Sequence, residues 1–311
     1  MLFRCFLLSL VIGLLMPMPM ASASAKTLNI SLVMSDSSAS FQQYAVALKN
    51  TLVASKADVN VIESLNVSNT RAELIVAVGL HATELAFAQE DIPVLAVMVP
   101  QSGYSALTLK RTQQKPTHHV SAIYLDQPWV RQLDFWRAAL PERRKIGLLH
   151  SPDAQHKEIP LKHDVEQRGG SLFDQLVPTS DELFTSLESV LARSDVLLAT
   201  PDRLIYNPST IRNILLTSYR HGVPLIGLSQ AYVNAGALCA IFTTTEQMAE
   251  QASAAVIKFA QTERLSEPQY PGQFTIAVNQ QVARSLGVEM ASPDLIRNRM
   301  ESAEEDSHET P

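Results

Sequence analysis

Short apolar runs alternate with segments of helical period along most of the chain. Residues 28–34 predict a strand, and residues 39–54 predict a helix because apolar side chains recur on one face of that segment. Further strands are predicted at 59–63, 74–79, 94–99, 120–125, 145–150, 172–177, 196–200, 225–228 and 273–278. Further helices are expected at 81–89, 128–140, 160–168, 182–193, 209–221, 245–261 and 280–286.

Several predicted strands are apolar at every position, as in LIVAV at 74–78, which indicates strands covered on both faces. Such strands, alternating with helices, predict parallel α/β sheets. The alternation stops in the polar stretch 101–119, which we interpret as a segment crossing from one sheet to another. The predicted fold is therefore α/β, with two Rossmann-like lobes of parallel strands joined by a hinge.

The N-terminus has the pattern of a secretory signal peptide. Arg4 precedes an apolar stretch at 6–20, and the small residues of 21–25 offer two overlapping A-x-A sites. A membrane anchor is the alternative, but an apolar run of about 15 residues is shorter than the roughly 20 that a spanning helix needs. We expect residues 1–25 to be removed and the protein to lie in the periplasm. Cys5 precedes the apolar run, so a lipoprotein is not expected.

Charge and cysteine content further limit the kinds of protein and partner that the sequence fits. The chain has 31 acidic and 25 basic residues without a basic cluster, so nucleic acid is not an expected partner. The acidic excess concentrates at the C-terminus, and residues 291–311 are predicted to be an acidic disordered tail. Cys239 remains alone once Cys5 is removed, so no internal disulfide is expected and the fold must rely on its core.

The segment LIGLSQA at 225–231 is one glycine short of the G-x-S-x-G elbow that presents a nucleophilic serine. In the hydrolases with that elbow, the acidic residue and the histidine follow the serine. The only histidine after Ser229 is His308, inside the acidic tail. We therefore expect a protein that is not an enzyme.

Metal and cofactor sites are not expected either. His118 and His119 are adjacent, which points their rings to opposite sides of a strand, and Pro160 lies between His156 and His163. No H-E-x-x-H motif, cysteine pair or glycine-rich phosphate loop is present. Surface histidines are the simpler interpretation.

Polar residues follow the predicted strands at five loops. Because ligands bind outside the carboxyl ends of parallel strands, we expect these loops to line one cleft. The predicted ligand-binding residues are Ser35, Asp36, Ser37, Gly79, His81, Ala82, Thr83, Gln101, Asp202, Ser229 and Gln230. The helix after Gly79 has free N–H groups for a carboxylate, and Asp202 would pair with an ammonium group. Taken singly, each residue also suits a helix cap or turn.

Three segments of the second half resemble the ABC-transporter substrate-binding protein family. They are VLLATPDRLIYNPSTI at 196–211, VPLIGLSQAYVNAGAL at 223–238 and FTIAVNQQVARSLGV at 274–288. Earlier, LDFWRAALPERRKIGLLHSPD at 133–153 resembles the start of that family's second lobe. The resemblance covers most of 120–288. It implies a type I periplasmic binding protein-like fold, and characterised relatives bind aromatic amino acids.

The first half departs from the family pattern at the loops that would hold an amino acid. The loop at 36–40 is DSSAS where the family has His-Pro-Ala-Leu-Asp, the loop at 79–82 lacks the family's threonine, and Pro100-Gln101 replaces Asp-Pro. Phe41, Tyr124 and Tyr206 are aromatic side chains that would supply either an apolar wall or core packing.

The resemblance implies a periplasmic solute-binding component of an ABC-type uptake system. Its partners would be a small organic ligand, with an amino acid among the candidates, and an inner-membrane ABC permease, and we expect a monomer without cofactor. The alternative is a sensor with a degenerate ligand site that docks on a membrane receptor or kinase. The expected lobe I comprises 26–119 plus about 243–272, and lobe II comprises 120–242 plus about 273–290.

Overall fold

The computed structural model describes residues 27–67, 71–89, 91–112, 119–152 and 158–309. The predicted signal peptide and the histidines at 118 and 156 lie outside these residues. No helix of the described ranges is long and apolar enough to cross a membrane.

The first lobe is built on a five-stranded sheet in the order β2-β1-β3-β4-β5. All neighbouring strands of this sheet are parallel. The strands are β1 (Leu28–Met34), β2 (Val59–Ser64), β3 (Leu74–Val78), β4 (Val94–Val99) and β5 (Val120–Tyr124). The helices are α1 (Ala39–Ala54), α2 (Leu80–Phe87), α3 (Gln101–Thr112) and, from later in the chain, α9 (Thr245–Thr262).

The second lobe has a six-stranded sheet in the order β11-β10-β9-β8-β6-β7, in which β11 alone runs antiparallel to its neighbour. Its strands are β6 (Lys145–His150), β7 (Ser171–Leu176), β8 (Val196–Leu198), β9 (Leu225–Gly227), β10 (Cys239–Phe242) and β11 (Thr275–Val278). Its helices are α4 (Trp129–Ala139), α5 (Glu158–Gln167), α6 (Leu183–Leu191), α7 (Ile211–Arg220), α8 (Gln230–Ala235), α10 (Gln280–Ser285) and α11 (Pro293–Glu309).

Both sheets are covered on both faces, as their uninterrupted apolar strands require. In the first lobe, Tyr44 and Leu48 of α1 and Phe259 of α9 pack in one cluster with the strands. In the second lobe, Trp136 of α4 packs in the cluster on one face. Leu187 of α6 packs in the cluster on the other face. Each lobe therefore has its own core, and the lobes meet at the ends of their strands.

Three sequence predictions about organisation are wrong. The stretch 101–112 is helix α3 of the first lobe instead of a crossing segment, because Tyr104 is buried there and Arg111 lies over the Phe87 ring. Strand β5 pairs with β4, so the first sheet extends past residue 119. The expected disordered tail is helix α11, whose Ile296 and Met300 are buried in the core of the second lobe.

The chain passes between the lobes at three places, near residues 125–128, 243–244 and 271–274. These connectors are hydrogen-bonded to one another. Gln127 Nε2 donates to Thr243 Oγ1 at 2.8 Å, and Thr243 Oγ1 donates to the carbonyl of Gln273 at 2.8 Å. Arg131 donates to Gln127 Oε1 at 2.7 Å and to the carbonyl of Pro271 at 2.8 Å. The three connectors therefore form one hydrogen-bonded network.

Candidate ligand-binding cleft

A cavity of about 330 Å³ lies between the lobes, where both sheets end at their carboxyl edges. Ligand sites of α/β sheets form at this edge. The first lobe contributes Ser35, Phe41, Gly79, Leu80, Met98 and Pro100. The second lobe contributes Phe135, Leu198, Asp202, Arg203, Tyr206, Leu228, Ser229 and Tyr232 among others, and Leu125, Asp126 and Gln127 of the first connector lie between them. Most of the wall is therefore apolar, with a few polar groups.

Ser35 and Gly79 are in contact and form part of the first-lobe side of the cavity. Ser35 Oγ donates to the carbonyl of Val78 at 2.9 Å and accepts from the Ala82 N–H at 3.0 Å. Gly79 has φ of 85°, and a Cβ there would lie 2.6 Å from Ser35 Oγ and 2.8 Å from the Phe41 ring. Only glycine suits this position, because it tolerates positive φ and leaves room for both neighbours.

Helix α2 begins directly after Gly79, so its N-terminus lies beside Ser35 and Gly79. The Ala82 N–H is taken by Ser35, and Thr83 is tied by its own N–H and hydroxyl to the Gly79 carbonyl at 3.1 and 2.8 Å. The N–H groups of Leu80 and His81 have no acceptor among the described residues. The first turn of a helix leaves such donors unsatisfied, and its dipole favours negative charge nearby.

Asp202 is held by the backbone. It is only 5% exposed, its Oδ2 accepts from the Ser151 N–H at 2.8 Å, and its Oδ1 accepts from the Leu204 N–H at 3.0 Å. Both oxygens of the carboxylate therefore stabilise the loop that follows β8. The lone pairs left for an ammonium group are fewer than the sequence alone suggested.

The predicted site residues divide into two sets. Those that line the cavity are Ser35, Gly79, Asp202 and Ser229. The others lie outside its lining: Asp36, Ser37, His81 and Gln101 are exposed, Ala82 and Thr83 are buried beneath the first turn of α2, and Gln230 is exposed and donates to Asn234 at 2.9 Å. Of the aromatic residues considered, Phe41 and Tyr206 line the cavity, whereas Tyr124 packs edge-on against Tyr104 and Tyr270.

Two charged side chains of the lining, Arg203 and Asp126, were not among the residues predicted from the sequence, and Tyr206 was considered only for its aromatic ring. Arg203 is exposed at the cleft and directly follows the Pro-Asp pair. Asp126 follows β5; burial raises its pKa, and the Gln101 N–H, 2.6 Å from Oδ2, opposes that rise. Tyr206 is 6% exposed, and its hydroxyl has no hydrogen-bond partner among the described residues. Burial, and after it Tyr232 and Asp202, raise the pKa of Tyr206, so its hydroxyl stays protonated.

Ser229 is the N-cap residue of α8, and no hydrogen bond joins its hydroxyl to a histidine in the described part of the chain. Within those same residues, no three His, Cys, Asp or Glu side chains are grouped to hold a metal ion.

Comparison with solved structures shows the same two-lobe fold. An ABC domain in complex with L-Trp from Streptococcus pneumonia is 16% identical, with a TM-score of 0.64 over 88% of this chain and 98% of that one. A conserved domain protein from Vibrio cholerae is 17% identical, with a TM-score of 0.66 over the same shares. A ligand-free, open substrate binding protein with adhesive properties from Clostridium difficile is 19% identical, with a TM-score of 0.64 over 85% and 96%.

At these identities the similarity establishes the fold, which is the type I periplasmic binding protein fold expected from the sequence. No curated protein matches the chain significantly. The model of the family described as ABC transporter substrate binding protein matches residues 38–298, which is most of the sequence. The chain belongs to the ABC transporter substrate binding protein family.

Proposed function

We propose that the protein is the solute-binding component of an ABC-type uptake system and binds a small organic solute between its lobes. The observation that carries this proposal is the cavity of about 330 Å³ with walls from both lobes. A largely apolar concavity with a few convergent polar groups is typical of small-molecule sites. The L-Trp complex of a structural neighbour supports a solute in this cleft.

Binding would couple to closure because the ligand contacts both lobes. A solute that touches Gly79 on one side and Tyr206 on the other stabilises the closed arrangement more than the open one. The three hydrogen-bonded connectors confine this motion to a rotation of one lobe on the other. The closed form would then be the one that an inner-membrane permease recognises.

The proposed function includes a periplasmic location. Residues 1–25 have the pattern of a cleaved signal peptide, and an uptake system needs its solute receptor outside the inner membrane. Cleavage before Lys26 would release the protein into the periplasm. N-terminal sequencing of protein recovered from a periplasmic extract tests this step.

A thermal-shift screen tests solute binding. The protein without residues 1–25 is unfolded and refolded to remove bound solute, then mixed singly with amino acids, nucleosides and organic acids. A ligand that binds only the folded state stabilises it by about 2.7 kcal/mol at a hundredfold excess over Kd. We expect at least one compound to raise the melting temperature.

Two neighbouring substitutions provide the matched control. Ser229→Trp places a large ring in the cleft and should abolish the shift, whereas Gln230→Trp, on an exposed side chain outside the lining, should preserve it. Equal shifts for both variants would place binding elsewhere. A flat response of the refolded wild type to every compound would contradict solute binding and favour docking on a membrane receptor or kinase.

A further inference from the structure

The charged side chains that line the cleft differ in how far the protein satisfies their hydrogen bonds. Within the described residues they are Asp126, Asp202 and Arg203. Asp202 accepts two backbone N–H groups, and Asp126 accepts the Gln101 N–H. The Arg203 carbonyl accepts from Asn207, but its guanidinium has no hydrogen bond or ion pair in the described part of the chain. The guanidinium is therefore the charged group of the lining whose donors are all available to a ligand.

Arg203 lines the same cavity as Gly79 and Leu80 of the first lobe. Hydrogen bonds from Ser38 lower the pKa of Asp36, and the charge of Arg203 adds to that lowering. Asp36 is adjacent to Ser35, whose hydroxyl accepts the Ala82 N–H at the start of α2. The guanidinium and the N-terminus of α2 thus belong to the same region of the cleft, although they come from different lobes.

Further unpaired donors lie in the same cavity. Leu80 lines the cavity, and its N–H at the start of α2 has no acceptor among the described residues. Tyr206 also lines it, and its buried hydroxyl has no hydrogen-bond partner in the same part of the chain. An unsatisfied buried donor costs free energy until a ligand supplies an acceptor. These donors favour a ligand that carries an acceptor oxygen.

The rest of the cavity wall is largely apolar and therefore favours a ligand that is mostly apolar. Phe41, Leu80 and Met98 of one lobe face Phe135, Tyr206 and Tyr232 of the other across the cavity. A ligand with several charged or hydroxyl groups would leave some of them unpaired against these side chains. A single anionic group at one end of an apolar molecule matches both parts of the cleft.

We infer that the solute is an apolar monocarboxylate, held by Arg203 together with the first turn of α2, and that the site does not require an ammonium group. This inference rests on the proposed function and specifies its ligand class. Guanidinium binds carboxylate through two parallel charge-assisted hydrogen bonds, which makes Arg203 the residue that selects the anion. An amino acid would bring an ammonium group into a cleft where Asp202 already accepts two backbone N–H groups and Asp126 accepts the Gln101 N–H.

Four probes with one phenyl ring and a three-carbon chain separate the alternatives. They are 3-phenylpropionate, L-phenylalanine, 3-phenylpropylamine and 3-phenylpropanol, whose polar groups are, in that order, a carboxylate, a carboxylate with an ammonium group, an ammonium group and a hydroxyl. Isothermal titration of the refolded wild type should give a Kd for the acid at least about tenfold lower than for the other three. The amine and the alcohol lack the carboxylate for a charge-assisted bond to Arg203, and L-phenylalanine adds an ammonium group that loses its hydration in the cleft.

Arg203→Gln should weaken binding of the acid at least about tenfold while leaving the alcohol unchanged. Arg212→Gln removes an equal charge from an exposed position of the same lobe outside the cleft, and it should bind the acid as the wild type does. Asp36→Asn removes a negative charge that interacts with Arg203 and should tighten binding of the acid.

The inference is overturned if L-phenylalanine or the amine binds as tightly as the acid, or if Arg203→Gln and Arg212→Gln behave alike. It is also overturned if none of the four probes binds. The thermal-shift screen then tests the proposed function separately. A compound of another class that stabilises wild type and Gln230→Trp but not Ser229→Trp would support solute binding while contradicting the inferred ligand class.

Discussion

Two carboxylates of the cleft show how a side chain's surroundings decide its use. Asp202 is buried, and its oxygens accept two backbone N–H groups, so the charge is compensated within the protein. Asp126 has one such bond, and burial raises its pKa. The same residue type therefore stabilises a loop at one position and carries a desolvation cost at the other.

Replacing Asp202 by alanine should lower the free energy of unfolding by about 2–4 kcal/mol, because the N–H groups of Ser151 and Leu204 would lose their acceptors in a buried loop. Urea denaturation measures the change. Asp36→Ala, which removes an exposed aspartate at the cleft, is the control and should cost less than about 1 kcal/mol. An Asp202→Ala variant as stable as wild type would contradict the role assigned to the carboxylate.

Asp126→Asn should stabilise the protein at about pH 7. Because the folded-state pKa of Asp126 is raised, the folded protein binds a proton more tightly than the unfolded chain, and stability falls as pH rises through the interval between the two values. Asparagine keeps an oxygen for the Gln101 N–H without the charge. The advantage should shrink as the pH is lowered toward the ordinary aspartate pKa of 3.8. Urea denaturation across that range checks this, and Asp91→Asn, at an exposed position, should show no such trend.

At the scale of elements, α11 shows how composition can conceal a helix. Its acidic residues predicted disorder, but Ile296 and Met300 are four positions apart and share one buried face. Arg299 also donates to the carbonyl of Ala138 in α4 at 3.0 Å, and Arg297 lies over the Phe274 ring. The helix therefore covers α4 and belongs to the core of the second lobe.

Ile296→Ala should lower the free energy of unfolding by about 2–5 kcal/mol, since it removes a fully buried side chain and leaves a cavity. Leu295→Ala is the matched control, because that neighbouring side chain is 45% exposed and should cost well under 1 kcal/mol. Chemical denaturation of both variants distinguishes them. Equal effects would mean that α11 is not docked in solution.

Strands and most helices were predictable because burial on both faces leaves a strong apolar pattern, as in β3 and β4. Helix α3 was missed because Tyr104 is one of very few buried side chains in a polar stretch, and packing on α2 stabilises it. The location of the cleft at the carboxyl edge of both sheets was also predictable. The hydrogen bonds of the Asp202 carboxylate and the absence of such bonds at the Arg203 guanidinium, within the described residues, were not, because they depend on groups distant in sequence, such as the Ser151 N–H.

For the whole molecule, the hinge network determines how the lobes move relative to each other. Thr243 accepts from Gln127 and donates to Gln273, so one hydroxyl joins all three connectors. Arg131 adds bonds to the first and third connectors and lies over the Phe274 ring at 5.0 Å. Closure must therefore preserve this network or exchange its bonds.

Thr243→Val keeps the side-chain shape but loses both hydrogen bonds, and we expect a broader range of lobe orientations together with a loss of about 1–2 kcal/mol in stability. Small-angle scattering of the ligand-free protein measures the first effect. Thr262→Val loses comparable bonds to Lys258 and Arg264 within one lobe. It should leave the scattering profile unchanged, and identical profiles for all three proteins would contradict the role given to Thr243.

The return of the chain to the first lobe has a consequence for folding. Helix α9 covers α1, yet the two helices are separated in sequence by five of the six strands of the second-lobe sheet. During synthesis, the apolar face of α1 and β1 stays uncovered until Thr262 has been added. Contacts so distant in sequence form late and slow the folding reaction. The core of the second lobe is likewise incomplete until β11 and α11 have been synthesised. Both lobes therefore reach their native cores only when the last part of the chain is present.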